Sequence, residues 1–495
     1  MSEYNSAADS AEKQLNYISP SMCYAKWTMT SISLTNGMTH SCYHNPLHKI
    51  DLEEIKNNPS ALHNTAQKKQ ERTQMLAGER PAGCSYCWKI EDSGNRSDRV
   101  YRSGESWAQN SRIEIFDALA EQNVNPRYVE VNFNQACNFK CTYCSPHLST
   151  EWEKDVDQNG PYSVLDPNGY EYKHNDLDAL KRQGLMPSKT AQADNPYIEA
   201  FWKWWPELYR NLEVFRITGG EPLMDKNTFK VLEYIYENPN AWLEMSITTN
   251  MCPPTPLLMD KFIEKAKKLE EIQIWEDKKR WNPGSGNHWY VNMALKNLAL
   301  FVSVDSVGDH AEYGRNGLNF SQMTANVNRF LEETNNTTLT FINTFNVFSV
   351  PRFKDYLEYI LQLRSKYSRE AQGTKYIPIY DPYNTHPDYE IHPRQRIWFD
   401  IPLLRDPAWQ NIKVLPVDFA EYIRDGISFM EEHAEKGDFV GFYDFEINKA
   451  KRNLDVFLSA ERQEIDLVNF KRFFEEYDKR SGNSLLETFP EFKGL

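Results

Sequence analysis

The sequence lacks any run approaching the roughly 20 apolar residues that cross a bilayer, so no membrane span is expected. It lacks a surplus of positive charge: 56 Lys and Arg stand against 70 Asp and Glu, a net charge of −14. That excludes a general electrostatic pull towards nucleic acid or an anionic membrane, and nucleic acid is not expected as a partner. The opening Met1-Ser2-Glu3-Tyr4-Asn5-Ser6 has no apolar core and is no signal peptide, so a cytoplasmic location is expected. No low-complexity tract occurs. Cysteine is scarce, with eight in 495 residues, and in a cytosolic chain this number points to metal or catalysis more than to disulfides.

Seven of those eight cysteines fall into two groups, and only Cys252 stands apart. A lone Cys is more often a small buried hydrophobe than a hydrogen donor. The first group to weigh is Cys137-Asn138-Phe139-Lys140-Cys141-Thr142-Tyr143-Cys144, a C-x3-C-x2-C run after the alternating strand Tyr128-Val129-Glu130-Val131-Asn132-Phe133-Asn134. Three thiolates on one tight loop can each ligate an iron of a 4Fe–4S cubane, which needs four ligands, so one iron is left open. A zinc loop is the bland account, but zinc usually takes four protein ligands in paired, C-x2-C-like spacings.

The second group is Cys23, Cys42, Cys84 and Cys87, set in C-x3-W, Asn36-Gly37 and P-x-G-C-x2-C-W contexts. Four thiolates suit either an iron–sulfur cluster or a structural zinc ion. His40, His44 and His48 lie near Cys42 and could replace a ligand, though loop or surface histidines are the plainer reading.

The triplet after a strand resembles the radical S-adenosylmethionine (SAM) superfamily. In that family SAM chelates the open iron and is cleaved reductively to a 5′-deoxyadenosyl radical that abstracts hydrogen from substrate. The resemblance covers roughly residues 21 to 385. One βα unit after the Cys loop stands Gly219-Gly220-Glu221-Pro222, similar to the family's GGE motif, which implies that Gly219, Gly220 and Glu221 contact the SAM amino group. Glycines there also allow close backbone approach to a ligand. By the same resemblance Ser303 and Arg315 would contact the ribose and the methionine carboxylate, and an Arg fork suits a carboxylate. Asn346 would bond ribose or adenine, and Tyr143 would pack on adenine. The plainer accounts are a satisfied strand hydroxyl, a surface ion pair and a core aromatic. The N-terminal cysteines resemble auxiliary-cluster domains of the SPASM or twitch type, here placed before the barrel instead of after it. That implies a second 4Fe–4S cluster, a peptide or protein substrate, and an electron donor such as flavodoxin or ferredoxin. A nucleoside or small metabolite is the alternative substrate. The rival from another class is a non-catalytic protein with two structural zinc sites.

The order of elements predicts an α/β fold: a partial (β/α)6 TIM-like barrel with an N-terminal Cys-rich domain and a C-terminal helical cap. The expected divisions are a polar tail at 1–20, a Cys-rich domain at 21–125, the barrel at 126–385 and a helical region at 386–495. A strand is expected around Thr28 to Leu34, a helical stretch from Leu52 to Leu76 and a helix from Ser111 to Glu121. Residues 146–195 read as a long loop, a lid or a mobile segment. Barrel strands are expected at Tyr128–Asn134, Leu212–Ile217, Trp242–Thr249, Leu298–Val304, Thr338–Val347 and Lys375–Tyr380. Helices are expected at Tyr197–Tyr209, Asn227–Glu237, Thr255–Leu269, Phe320–Glu333 and Phe353–Tyr367. The aromatic helix with Trp202, Trp204 and Trp205 is read as core. The Trp275–Trp289 insertion, with Lys278, Lys279 and Arg280, is read as a solvated loop.

Overall fold

A computed structural model describes residues 2–111, 115, 120–187, 194–272, 274–277, 288–291, 293–370, 395–437 and 439–495. Its centre is a nine-stranded sheet. In chain order the strands are β1 (Met29–Ser33), β2 (Met38–His40), β3 (His48–Lys49), β4 (Tyr128–Asn132), β5 (Val214–Thr218), β6 (Asn240–Thr249), β7 (Leu295–Ser303), β8 (Thr338–Ile342) and β9 (Ile397–Asp400). They lie in the order β9-β8-β7-β6-β5-β4-β1-β2-β3. Strands β4 to β9 are parallel and neighbour one another in sequence order. The helices Pro196–Tyr209, Lys226–Glu237, Pro256–Glu270, Phe320–Glu333 and Phe353–Glu370 connect them, which makes a (β/α)6 partial barrel.

The strands alternate because each has one face under helices and one towards the barrel interior. In β5 Phe215 and Ile217 are buried while Val214, Arg216 and Thr218 are half-buried; β7 buries Leu298, Leu300 and Val302 in the same way. Helix starts carry their caps. Asn195 accepts from the Tyr197 and Ile198 amides ahead of Pro196, and Asp225 accepts from the Asn227 amide.

Several expectations meet a different structure. The sixth barrel strand is Ile397–Asp400, paired in parallel with β8 from Leu339↔Ile397 to Ile342↔Asp400. The run at residues 375–380 lies outside the described residues, as does most of the helix expected at residues 111–121. Of the insertion at residues 275–289, a hairpin of Ile274–Asp277 with His288–Val291 is described, and Lys278, Lys279, Arg280 and Trp281 fall outside. Residues 146–195 are not one long loop: they hold the helix Thr150–Asn159, a hairpin of Tyr162–Leu165 with Glu171–His174, and the helix Leu177–Arg182. Elements of four to six residues are too short to show a period. The N-terminal stretch forms a helix, Ser2–Ile18, because Ala8, Ala11 and Leu15 make a buried stripe at helical spacing. The stretch from Leu52 to Leu76 breaks into Leu52–Asn57, Pro59–Leu62 and Ala66–Leu76, with Asn58 and Thr65 capping the later two.

The strand expected near residues 28–34 does more than serve its own region. As β1 it adds a seventh parallel strand to the barrel edge, from Met29↔Tyr128 to Ser33↔Asn132. The helices Ala420–Glu432, Asp444–Leu458 and Glu464–Ser481 close the C-terminal side. A fully buried Arg364–Glu446 pair, 2.6 Å apart, fastens them to the barrel. No helix among the described residues is long and apolar enough to cross a membrane.

Candidate functional site

The Cys loop leaves the C-terminal end of β4, where sites of such folds lie. Its backbone is tied down on every side. Lys140 and Cys141 pair antiparallel with Asn316 and Arg315, and the Thr142 amide donates to the Gly314 carbonyl at 2.9 Å. The Thr150 hydroxyl both accepts from the Cys137 amide at 3.2 Å and donates to its carbonyl at 3.0 Å. Trp152 Nε1 donates to the Cys141 carbonyl at 2.8 Å, and Gln410 Nε2 to the Thr142 carbonyl at 2.9 Å. Tyr477 donates to the Lys140 carbonyl at 3.2 Å. The thiols of Cys137, Cys141 and Cys144 are free and half-buried. Burial and the charge of Cys141 push the Cys144 thiol up to about 12, and Cys137 is raised by burial, by Cys141 and by nearby Glu221. Three such thiols would ionise together only with a cation among them.

Gly219 and Gly220 are required by this loop itself. Gly219 has φ +122°, and a Cβ there would stand 2.8 Å from Asn132 Cβ. A Cβ on Gly220 would stand 2.3 Å from the Ala136 carbonyl oxygen. The close approach that glycine permits is thus taken up by the chain's own Cys loop. Glu221 follows, 1% exposed. Its carboxylate accepts from Thr249 Oγ1 and the Asn250 amide, each at 2.7 Å, and from the Leu223 amide at 3.0 Å. Burial nevertheless raises its pKa to about 7, against the lowering pull of those three bonds.

Arg315 is buried against Cys141, with Nη1 3.6 Å from the sulfur. Its guanidinium is matched by Asp305, with Nε 2.9 Å from Oδ2 and Nη2 donating to Oδ1 at 3.0 Å. Tyr143 donates to the same carboxylate at 2.9 Å and accepts from Arg315, so its hydroxyl belongs to this network. Sequence reasoning missed Asp305, although it stands two residues after Ser303. It also missed Gly317, which has φ +103° and whose Cβ would meet the Asn138 carbonyl at 2.6 Å. Ser303 ends β7 half-buried, in register with Ile342, and its hydroxyl makes no hydrogen bond among the described residues. Asn346 spends its side-chain amide on its own turn, donating to the Thr344 carbonyl at 2.7 Å and accepting from the Phe348 amide at 2.8 Å, while the Thr344 amide donates to Asp305 at 2.9 Å. Cys252 is buried, and its carbonyl accepts from Asn138 at 2.8 Å.

The N-terminal cysteines also come together. Cys23, Cys42, Cys84 and Cys87 line one cavity with Lys26, Arg99 and Trp88. Cys42 and Cys84 both point at Asn45 Oδ1, at 3.2 and 3.7 Å. Burial, then the charges of Cys84, Cys42 and Cys87, push Cys23 up to about 12; burial takes Cys87 to about 11. Beneath the cavity sit buried cations that the sequence did not announce. Lys26 pairs with Glu71, whereas Lys68 bonds the hydroxyls of Thr30 and Thr39 at 2.8 and 2.9 Å. Arg72 is also fully buried, bonded to Asn64 and His63. Of the three histidines, His44 pairs with Asp98 at 2.6 Å and also lines the cavity, His48 meets Thr65, and His40 bonds the Cys42 carbonyl. Among the described residues, no three His, Cys, Asp or Glu side chains are arranged to hold a single ion. A cubane takes each thiolate on a different iron, so it does not need such convergence.

No family model matches the chain. GTP 3′,8-cyclase from Syntrophomonas wolfei is 25% identical over 130 residues, which is 26% of this chain and 28% of that protein. The chain thus spans under a third of the length of that curated relative. Two crystal structures of Streptococcus suis SuiB cover 68% of this chain and 60% of theirs. One is bound to the precursor peptide SuiA (10% identity, TM-score 0.26) and the other to S-adenosylmethionine (12% identity, TM-score 0.28).

Proposed function

We propose that the chain is a radical SAM enzyme in which Cys137, Cys141 and Cys144 hold a 4Fe–4S cluster. The observation that carries this reading is the pinned three-cysteine loop with the Glu221 carboxylate buried beside it. The local likeness to GTP 3′,8-cyclase supports it. When bound, the cluster and SAM would supply reductive cleavage and a 5′-deoxyadenosyl radical. The chain's own part is positioning. Glu221, charged and desolvated, suits an ammonium group, which would hold it ionised where burial alone favours the neutral acid. Gly219 and Gly220 set the distance between Glu221 and the Cys loop. Ser303, at a strand end with an unused hydroxyl, suits a ribose. Arg315 suits a carboxylate, but here it is already neutralised by Asp305, so its part is to hold Cys141 and Tyr143. Asn346 has no such part in this reading.

Residues 21–125 would carry a second centre on Cys23, Cys42, Cys84 and Cys87, an auxiliary 4Fe–4S cluster in preference to zinc. The substrate reading is a peptide or protein, with a nucleoside as the alternative. The test is anaerobic purification, analysis of iron, sulfide and zinc, and incubation of the reduced protein with SAM. Iron with sulfide and formation of 5′-deoxyadenosine support the reading. Zinc alone, with SAM untouched, overturns it in favour of a zinc-binding interaction protein. Deuterated peptides and nucleosides then separate the substrate classes by deuterium recovered in 5′-deoxyadenosine.

A further inference from the structure

By joining the barrel edge, β1 brings polar side chains into register on the face of the sheet turned away from the helices. Ser31 lies opposite His40 of β2 and Glu130 of β4, and Glu130 lies opposite Arg216 of β5. One row further along, Ser33, Asn132 and Thr218 stand side by side. Side chains opposite one another in register share a face and can act together. Over these two rows opens a cavity of about 140 Å³, rimmed by Leu47, Leu148 and Leu185. A space of this order takes a benzene-sized guest.

The cavity touches the segments that carry both cysteine sets. His40 stands two residues before Cys42 and bonds its carbonyl through Nδ1. His147 stands three residues after Cys144, with Nδ1 2.8 Å from Ser145 Oγ. Both imidazoles line the cavity, and neither Nε2 has a hydrogen-bond partner among the described residues. Ser31 is 6% exposed, and its buried hydroxyl also has no partner. Among the described lining residues Glu130 alone carries a fixed charge, and it is already matched. Tyr43 donates to its carboxylate at 2.9 Å, and Arg216 Nε stands 3.9 Å from it. Among the described lining residues there is no Trp, Tyr or Phe, and none of Tyr143, Glu221, Ser303 and Arg315. The cavity is therefore distinct from the residues assigned to SAM, and it is polar without an unmatched charge.

We propose that this cavity is the substrate's side-chain pocket and that it takes a neutral side chain bearing a hydroxyl or a carboxamide, presented by a peptide. Calling the guest a substrate rests on the reading above, whereas the choice of side chain rests on the cavity. A free ammonium or carboxylate would lose its water and find no unmatched charge in return. An alkyl side chain would cover the Ser31 hydroxyl and the two Nε2 atoms and leave them unpartnered. A hydroxyl or carboxamide both donates and accepts, so it answers an imidazole lone pair and the Ser31 hydroxyl together. A nucleobase binds best with a ring to stack on, and the lining offers none of the larger aromatic rings.

The experiment uses the full chain and capped tripeptides, acetyl-Gly-X-Gly-amide, with X as Ser, Thr, Asn or Gln against Val, Asp or Lys. Binding is titrated by saturation-transfer NMR, a readout that needs no cluster, and 5′-deoxyadenosine formed by the loaded, reduced protein with SAM is measured beside it. The neutral polar peptides should bind about tenfold more tightly than the other three. Ser31→Ala, which removes only the hydroxyl, should erase most of that preference. Leu185→Trp, which fills the cavity from its rim, should abolish binding of every peptide. Circular dichroism matching wild type shows that both variants are folded. Equal binding of the Asp or Lys peptide, no binding by any peptide, or a preference that survives both substitutions overturns the proposal. So does a nucleoside whose binding depends on Ser31 where no peptide's does. If the peptide preference holds but no 5′-deoxyadenosine forms, the functional reading fails while the pocket stands, which is a different result from a lost preference.

Discussion

The two cysteine sets are built on opposite electrostatic plans. The set at residues 137–144 sits in a nearly neutral surround, where Arg315 is cancelled by Asp305 and the remaining neighbour is the acid Glu221. The set of Cys23, Cys42, Cys84 and Cys87 shares its cavity with Lys26, with Lys68 and Arg72 buried nearby and the single acid Glu71 set against all three. Charge counting explains the contrast. Four thiolates around a metal centre make a net anion that must be offset when buried. Three thiolates make a smaller one and leave room for a ligand's own charges. The four-cysteine arrangement suits a closed centre, the three-cysteine arrangement an open one.

The sharpest break of this comparison is to empty each set in turn. Changing Cys137, Cys141 and Cys144 to Ala should take iron from about eight to about four per chain and abolish SAM cleavage. Changing Cys23, Cys42, Cys84 and Cys87 to Ala should remove the same amount of iron yet leave SAM cleavage measurable by 5′-deoxyadenosine formation. Next in size is Asp305→Ala. It strands Arg315 as a buried, unpaired cation, and urea unfolding should show a loss of about 3–5 kcal/mol.

A pH series separates the sets without touching a cysteine. Glu221 is held near pKa 7 by burial, against an ordinary value of 4.5. The folded chain therefore keeps a proton that the unfolded chain has released. Stability contributed by this group is present below the unfolded pKa and is lost as pH rises through about 7. The difference in unfolding free energy between metal-free wild type and Glu221→Gln should fall by roughly 3 kcal/mol across that window. Saturating SAM, if its ammonium pairs with Glu221, should flatten the curve. The smallest effect is Gly220→Ala, which puts a Cβ against the Ala136 carbonyl. A loss of about 1–3 kcal/mol is expected, with iron lost from the barrel set alone as read by the remaining cluster's spectrum.

Much of this was legible in the sequence, because the signals were local. Five barrel strands and five helices have apolar spacing long enough to read, and the Cys and GGE runs are contiguous. What was not legible is pairing at a distance. The strand at residues 29–33 was visible, but nothing in its alternation says that it joins the barrel edge beside β4. Ile397–Asp400 is too short to show a period, and its place in the barrel is fixed by its register with β8. Asp305 matters through a partner ten residues on, Arg315, and Lys68 through hydroxyls 29 and 38 residues away.

The bonds from Gln410 and Tyr477 to the Cys loop have a consequence for biogenesis. They join residues 268 and 337 positions apart in the chain. On the ribosome, the loop carrying Cys137, Cys141 and Cys144 is finished long before the side chains that pin it have been made. The N-terminal set has all four cysteines by Cys87, and Lys26, Lys68 and Arg72 earlier still. On the reading proposed above, metal could enter the N-terminal set during synthesis, whereas the barrel set is pinned only once translation has passed Tyr477. A chain halted between those points would hold a complete N-terminal cysteine set and one unpinned triplet of thiols, a form open to oxidation and to the wrong metal.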